Sequence, residues 1–264
     1  MKTAIITGVR TNSLGILAAQ VFAEQNYNLV LVSRNGEHLN DAKALLESVV
    51  LGYAASISCE QCDVRDYKSV VSSLSPYQSV DVLVNAAGVL GPTSNFAQNE
   101  MSLWADCIMT NVVGTANVCH ALLNKFSQTT RGKIINFSGG GGGEALVNHS
   151  AYGASKAAAI RFTESLALEF PGIDSNIIAP GRHNTNIQSS ETAIDLTKVS
   201  WANPERYKGL VRYLGSEKSD GVTGRFINIL DNWDAPDFAN LKPDYLKLRR
   251  VDEILLRRVA DGQK

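Results

Sequence analysis

Thr7-Gly8-Val9-Arg10-Thr11-Asn12-Ser13-Leu14-Gly15 follows the strand-like run Thr3-Ala4-Ile5-Ile6 and opens into a helically periodic stretch, residues 16–25. A strand, a tight glycine turn and a helix N-terminus in that order direct backbone N–H groups and the positive end of the helix dipole at one point, where a pyrophosphate can sit. The same alternation continues outward from that turn. Residues 28–33, 54–61, 80–84, 133–137, 174–178 and 225–229 read as strands, with helical periodicity between them. Nearly continuous apolar runs such as Leu29-Val30-Leu31-Val32 and Val82-Leu83-Val84 suit strands covered on both faces. The pattern predicts an α/β fold, a doubly wound parallel sheet of about seven strands with helices on both faces. Ligands of such sheets bind beyond the carboxyl ends of the strands, where strand order reverses, so function is expected in the turns that follow strands.

One domain over residues 1–264 accommodates this length without an appended module. Lys and Arg number 25 against 26 Asp and Glu, a formal charge of −1, so no broad electrostatic surface for nucleic acid or anionic lipid is implied. Of the four cysteines, Cys59 and Cys62 are close but lie in an alternating strand, and Cys107 and Cys119 lie in helical patterns. Two thiolates make half a zinc site, so packed thiols and no metal are expected. Neither a secretory signal pattern nor an apolar span of membrane length is present, which leads to the expectation of a cytoplasmic protein. Within residues 241–260, Leu246, Val251, Ile254, Leu255 and Val259 are spaced like a helical stripe and predict a C-terminal helical tail.

The second strand ends at Ser33-Arg34, where the adenosine ribose of a dinucleotide would lie. No carboxylate stands there to accept from both ribose hydroxyls, and the Arg34 guanidinium suits a 2′-phosphate, with Arg10 as a second charge. NADP(H) is therefore expected over NAD(H). Tyr152 and Lys156 are four apart in the helical run 151–168, so their side chains share one face. A phenol of unperturbed pKa about 10 is a poor acid near neutrality, and an adjacent ammonium should lower it. Tyr152 then exchanges a proton with a carbonyl or alcohol oxygen while hydride moves.

Taken in order, these residues resemble the short-chain dehydrogenase/reductase family over nearly the whole chain. Thr7-Gly8 and Gly15 resemble its first glycine turn, and Asp63-Val64 resembles the adenine-side Asp after the third strand. Asn85-Ala86-Ala87-Gly88 resembles its NNAG motif. The resemblance implies catalytic roles for Asn111, Tyr152 and Lys156, and a nicotinamide-carboxamide loop at Pro180-Gly181 with Thr185. It also implies a small-molecule carbonyl or alcohol substrate, a substrate lid over residues 186–204, and a homodimer or homotetramer. There are departures. The first turn is one residue longer than usual, and Ser13 stands where the middle glycine is expected. Ala86 replaces a second Asn. The family's active-site serine falls at Gly139, with the nearest hydroxyl on Ser138, one position earlier.

Ser138 is expected to orient the substrate oxygen, with the backbone of the glycine run 139–143 as the alternative. His149 and Glu144 lie between that run and Tyr152 and read as polar loop residues. The altered turn and Gly139 also admit a catalytically weak NADP(H)-binding sensor or subunit partner. Enoyl reduction and sugar-nucleotide epimerisation are less favoured, because the Tyr-Lys spacing is ordinary and little chain follows Pro180.

Overall fold

The computed structural model describes residues 1–49, 56–126, 130–188, 191–192, 194–235, 237–240 and 246–248. Its strands are β1 (Thr3–Thr7), β2 (Asn28–Ser33), β3 (Ile57–Gln61), β4 (Val82–Asn85), β5 (Gly132–Phe137), β6 (Ile173–Ala179) and β7 (Phe226–Asn228). They form one sheet in the order β3-β2-β1-β4-β5-β6-β7, every neighbouring pair parallel. The chain moves outward from β1 to β3, then returns to lay β4 against β1, with Thr7 opposite Asn85. The reversal therefore opens beyond those two residues, between the first glycine turn and the loop that begins at Ala86.

Helices cover both faces: α1 (Leu14–Ala23), α2 (Gly36–Val49), α3 (Tyr67–Leu74), α4 (Met101–Ile108), α5 (Thr115–Leu122), the single turn α6 (Gly140–Gly143), α7 (Ser150–Glu169) and α8 (Pro204–Leu214). The two-residue period of β1 divides the core. Ala4 and Ile6 pack with Phe22, Leu39 and Leu210 from α1, α2 and α8, whereas Ile5 faces Val70, Leu74, Val118 and Leu122 from α3 and α5. Fully buried side chains of this size contribute about 1.5–3 kcal/mol each, which explains the selection of unbroken apolar runs in β2 and β4.

Three expectations need adjustment. The third strand starts at Ile57; residues 54–55 of the expected 54–61 run lie outside the described residues. The helical run after Trp104 is interrupted by a π-helical segment, Met109–Gly114, between α4 and α5. Most of the expected 241–260 tail also lies outside the described residues, and Leu246 within it adopts φ +56 and accepts a bond from the Phe226 amide at 2.6 Å. Among the described residues no helix is long and apolar enough to cross a membrane.

At the end of the sheet remote from the reversal, Asp174 is fully buried. It accepts from Arg131, from Lys133 Nζ at 2.8 Å and from the Gly221 amide at 3.1 Å, joining β5, β6 and the segment before β7. Removing one partner of a buried ion pair leaves the other uncompensated. Asp174→Ala is expected to cost about 3–5 kcal/mol, because Lys133 then loses its buried carboxylate and keeps only the half-exposed Asp220 and the Ser219 hydroxyl. Urea unfolding followed by circular dichroism measures this; a loss below about 1 kcal/mol, typical of an exposed ion pair, would refute the account.

Candidate active site

Gly8 lies at the strand-order reversal with φ +70. A Cβ there would lie 2.5 Å from the Ala87 nitrogen and 2.6 Å from the Ala86 carbonyl, so only glycine lets the two turns approach. Thr7 Oγ1 accepts from the Ala87 amide at 3.2 Å and fixes that approach. Ser13, where a glycine was expected, is the N-cap of α1. Its Oγ accepts from the Ile16 amide at 3.2 Å and donates to the Arg10 carbonyl at 2.7 Å, while Asn12 takes the left-handed conformation at φ +54. The extra residue is thus absorbed in a capped turn. Asn186 bridges the crevice from the far side, donating from its side chain to the Thr11 carbonyl at 2.8 Å and from its backbone to Asn12.

The resulting cleft has a volume of about 500 Å³. Its adenosine end is lined by Val9, Arg10, Ser13, Leu14, Ser33, Arg34, Asn35, His38 and Val64, and its middle by Gly8 and residues 86–90. Ser138, Gly139, Tyr152, Lys156, Pro180, Gly181, His183 and Thr185 line the other end. Among the described residues no Asp or Glu lines it, and Arg10 and Arg34 form no ion pair. A pyrophosphate-bearing dinucleotide fits this donor set: backbone amides at a capped helix start, two guanidinium groups and no opposing carboxylate.

Several expected contact residues lie behind the cleft. Gly15 backs onto Gly8. Asp63 is bound by Arg65 at 2.7 Å, which holds its carboxyl below the usual range, and the neighbouring Val64 faces the cleft instead. Asn85 is buried and donates to Asn136 Oδ1 at 2.9 Å, linking β4 to β5. Asn111 sits in the π-helical segment, a conformation that recurs at functional sites. Its carboxamide accepts from the Val89 amide at 2.8 Å and donates to the Val89 carbonyl and Ser155 Oγ, each at 2.9 Å. It clamps the loop after β4 onto α7.

α7 brings Tyr152 and Lys156 into the cleft. Lys156 Nζ donates to the Phe137 carbonyl at 2.9 Å and lies 5.5 Å from the centre of the Tyr152 ring. The expected lowering of the phenol pKa does not occur in this state. Burial pushes Tyr152 up to about 12 and draws Lys156 down to about 8. Burial is the largest cause for both groups, and the charge that draws the phenol back down is the Arg182 guanidinium rather than the Lys156 ammonium. At the serine position, a Cβ on Gly139 would lie 2.5 Å from the Tyr152 hydroxyl. The Ser138 hydroxyl donates to the Gly139 carbonyl at 3.2 Å and lies against Gly142.

Sequence reasoning missed His38, His183, Gln188 and the partner of His149. His149, read as a polar loop residue, is buried and bonds Glu191 at 2.7 Å through Nε2 and the Val147 carbonyl at 2.7 Å through Nδ1. Thr192 meets Thr93 at 2.6 Å, so the segment after β6 is fastened on two sides. Its place in the first turn of α2, third residue of that helix, was the available signal for His38; nothing local marked Glu191.

The fold and cleft define a dinucleotide-binding oxidoreductase site at a Rossmann-type strand reversal. Comparison with known proteins agrees. Residues 2–195 match the family described as short chain dehydrogenase. A 3-oxoacyl-acyl-carrier-protein reductase of Chlamydia trachomatis is 30% identical over 241 residues, covering 86% of this chain and 95% of that protein. A variant of actinorhodin polyketide ketoreductase with NADPH superposes with a TM-score of 0.74 at 26% identity, covering 91% of this chain and 98% of the other. NAD+-bound xylitol dehydrogenase gives a TM-score of 0.76 at 24% identity, with 86% and 97% covered. The chain belongs to the short-chain dehydrogenase/reductase family and is an NAD(P)-dependent oxidoreductase.

Lys156 is 5% exposed, and its depressed pKa makes it a stability liability. Between pH 8 and the unfolded value near 10.5 the unfolded chain binds more protons, so stability rises with pH across that window and the deficit is full below it. Lys156→Met is expected to be more stable than the parent at pH 7 by about 1–3 kcal/mol, with the difference shrinking toward pH 10.5. Urea unfolding of both proteins at pH 7 and pH 10 checks the sign; a less stable variant at pH 7 would overturn it.

Proposed function

We propose that this chain is an NADP(H)-dependent carbonyl reductase or secondary-alcohol dehydrogenase in which Tyr152 is the general acid/base. The carrying observation is that the Tyr152 phenol, its ring centre 5.5 Å from a buried ammonium, shares one cleft with two arginines that have no ion pair among the described residues, and with no carboxylate among the described residues that line it. Nicotinamide, when bound, supplies or accepts the hydride. A phenol held up to about 12 is protonated at neutral pH, as a proton donor to a carbonyl oxygen must be. Lys156, anchored on the Phe137 carbonyl, holds the cationic charge that favours the phenolate once the proton has left. Asn111 keeps the loop wall against α7 in register and flanks Gly88 beside Lys156, in a position to order a water between that ammonium and solvent. Gly139 carries no hydroxyl and Ser138 directs its own at a carbonyl, so orientation of the substrate oxygen rests mainly on the phenol.

Gly8 to Gly15 and residues 85–88 hold the pyrophosphate side in this reading, Pro180, Gly181 and Thr185 the carboxamide, and Arg34 with Arg10 the 2′-phosphate. Of the two solved neighbours, one holds NADPH and the other NAD+, so preference rests on the two arginines. Residues 186–204 act as the substrate lid, fastened through Glu191 and Thr192. Exposed Met101, Leu103 and Met109 around α4, with Leu168 on α7, offer an apolar face for a homodimer or homotetramer. The missing hydroxyl at Gly139 is the one observation favouring a weakly catalytic cofactor-binding protein instead.

Tyr152→Phe is expected to lower kcat/KM by about 10²–10⁴-fold on any accepted carbonyl while NADPH still binds, as followed by NADPH absorbance and fluorescence titration. Equal turnover by both proteins across a carbonyl panel would defeat the assignment. Arg34→Leu should weaken NADPH about 10- to 100-fold more than NADH; a parent that binds NADH more tightly contradicts the preference. Sedimentation at working concentration is expected to show an oligomer, and a monomer would remove that part of the reading.

A further inference from the structure

The first glycine turn and the end of β2 meet at the adenosine end of the cleft. The Val9 amide donates to the Val32 carbonyl at 3.2 Å, which ties the Arg10 turn to the strand that ends beside Arg34. From there the chain enters α2 through a pinned turn. Asn35 Oδ1 accepts from the Glu37 and His38 amides at 2.8 and 3.3 Å, and Gln61 on β3 donates to the Arg34 carbonyl at 3.2 Å. Leu39, Ala42 and Leu46 are the buried residues of α2, and Ala42 lies one turn beyond His38, so the histidine begins the stripe that packs toward the sheet. It is half-buried and lines the cleft with Arg10, Ser33, Arg34 and Asn35.

The His38 ring has no hydrogen bond or ion pair among the described residues. Glu37 and Asp41 flank it on α2, both exposed and neither lining the cleft. Asp63, past the end of β3, is close enough to Arg34 to feel its charge, yet it is committed to Arg65 at 2.7 Å. Among the described residues, the charges that share this end of the cleft with His38 are therefore the two guanidinium groups. An imidazole differs from a guanidinium in that its charge changes between pH 5 and 8. Beside two like charges alone the imidazolium is disfavoured. A phosphate monoester, with a second pKa of about 6, adds close to two negative charges and favours the protonated ring instead. A ribose hydroxyl at the same place adds none.

We propose that His38 is a specificity residue that donates, as imidazolium, to the 2′-phosphate of the dinucleotide alongside Arg34 and Arg10, so that NADP(H) binding takes up a proton and the preference over NAD(H) strengthens as pH falls. The inference rests on the assignment of the two arginines to that phosphate, and on the pinned first turn of α2 for the place of the ring. The proton comes from solvent and goes to the imidazole, and the ligand is otherwise unchanged. Linkage makes the two effects one: the factor by which the phosphate favours the protonated ring is the factor by which protonation tightens binding. The direction holds above about pH 6, below which the phosphate loses its own second charge.

The test is binding of NADPH and NADH, by fluorescence titration, to the parent protein, His38→Gln and His38→Lys at pH 6.5, 7.5 and 8.5. For the parent, the ratio of the NADH to the NADPH dissociation constant is expected to rise about 10-fold from pH 8.5 to pH 6.5. His38→Gln should give a lower ratio that stays flat, and His38→Lys, with its permanent charge, a high ratio that also stays flat. Calorimetry at pH 7.5 in buffers of different ionisation enthalpy reads the proton directly. Uptake is expected with NADPH and the parent, and none with NADH or with His38→Gln. A phosphate merely driven to its dianion by the arginines would release a proton, the opposite sign. A parent that prefers NADPH by a pH-independent ratio, or an uptake that persists in His38→Gln, overturns the proposal and leaves the arginine assignment standing. A parent that binds NADH more tightly at every pH removes that assignment and His38 with it. Circular dichroism of both variants confirms that they fold.

Discussion

The contact of the Gly8 turn with Ala86 and Ala87 is the constraint on which the rest depends. Two parallel strands run side by side, and their exits must diverge to opposite faces of the sheet. At the point of divergence the two backbones approach to a distance that excludes even a methyl group on Gly8. That closeness forms the floor of the cleft, and each wall is then hung from it: the capped start of α1 on one side, the Val89 loop clamped by Asn111 on the other, and Asn186 reaching across from behind. The remote ionic cluster around Asp174 anchors the other end of the sheet.

Within the cleft, electrostatics are governed by burial more than by pairing. Tyr152 and Lys156 are both driven toward neutrality, chiefly by burial among protein atoms. An arrangement that is unfavourable for the empty fold is suited to a cavity in which charge appears only during reaction. Spacing along a helix indicated that the two groups would be near each other. It said nothing about how dry their surroundings would be.

Much of the fold was legible because its signals are local. Apolar runs in β2 and β4, the glycine turn and the regular alternation reported strand, turn and helix without reference to distant chain. The positions of Tyr152, Lys156, Arg10 and Arg34 around one cleft were also anticipated, since each follows a strand end or shares a helix face. Other features depended on contacts between distant segments. Glu191 finds His149 across 42 residues, Asp63 turns to Arg65 rather than to the cleft, and the break in helix at Met109–Gly114 reflects Asn111 reaching Val89. Ser13 was read as a defect in a motif; as a cap it performs a different task in the same turn.

Gly139 and Tyr152 share one space, since the atom that any other residue would add at 139 falls on the phenol oxygen. The two positions are therefore coupled in mutational terms: a side chain added at 139 displaces the Tyr152 phenol, so the effects of changing both will not add.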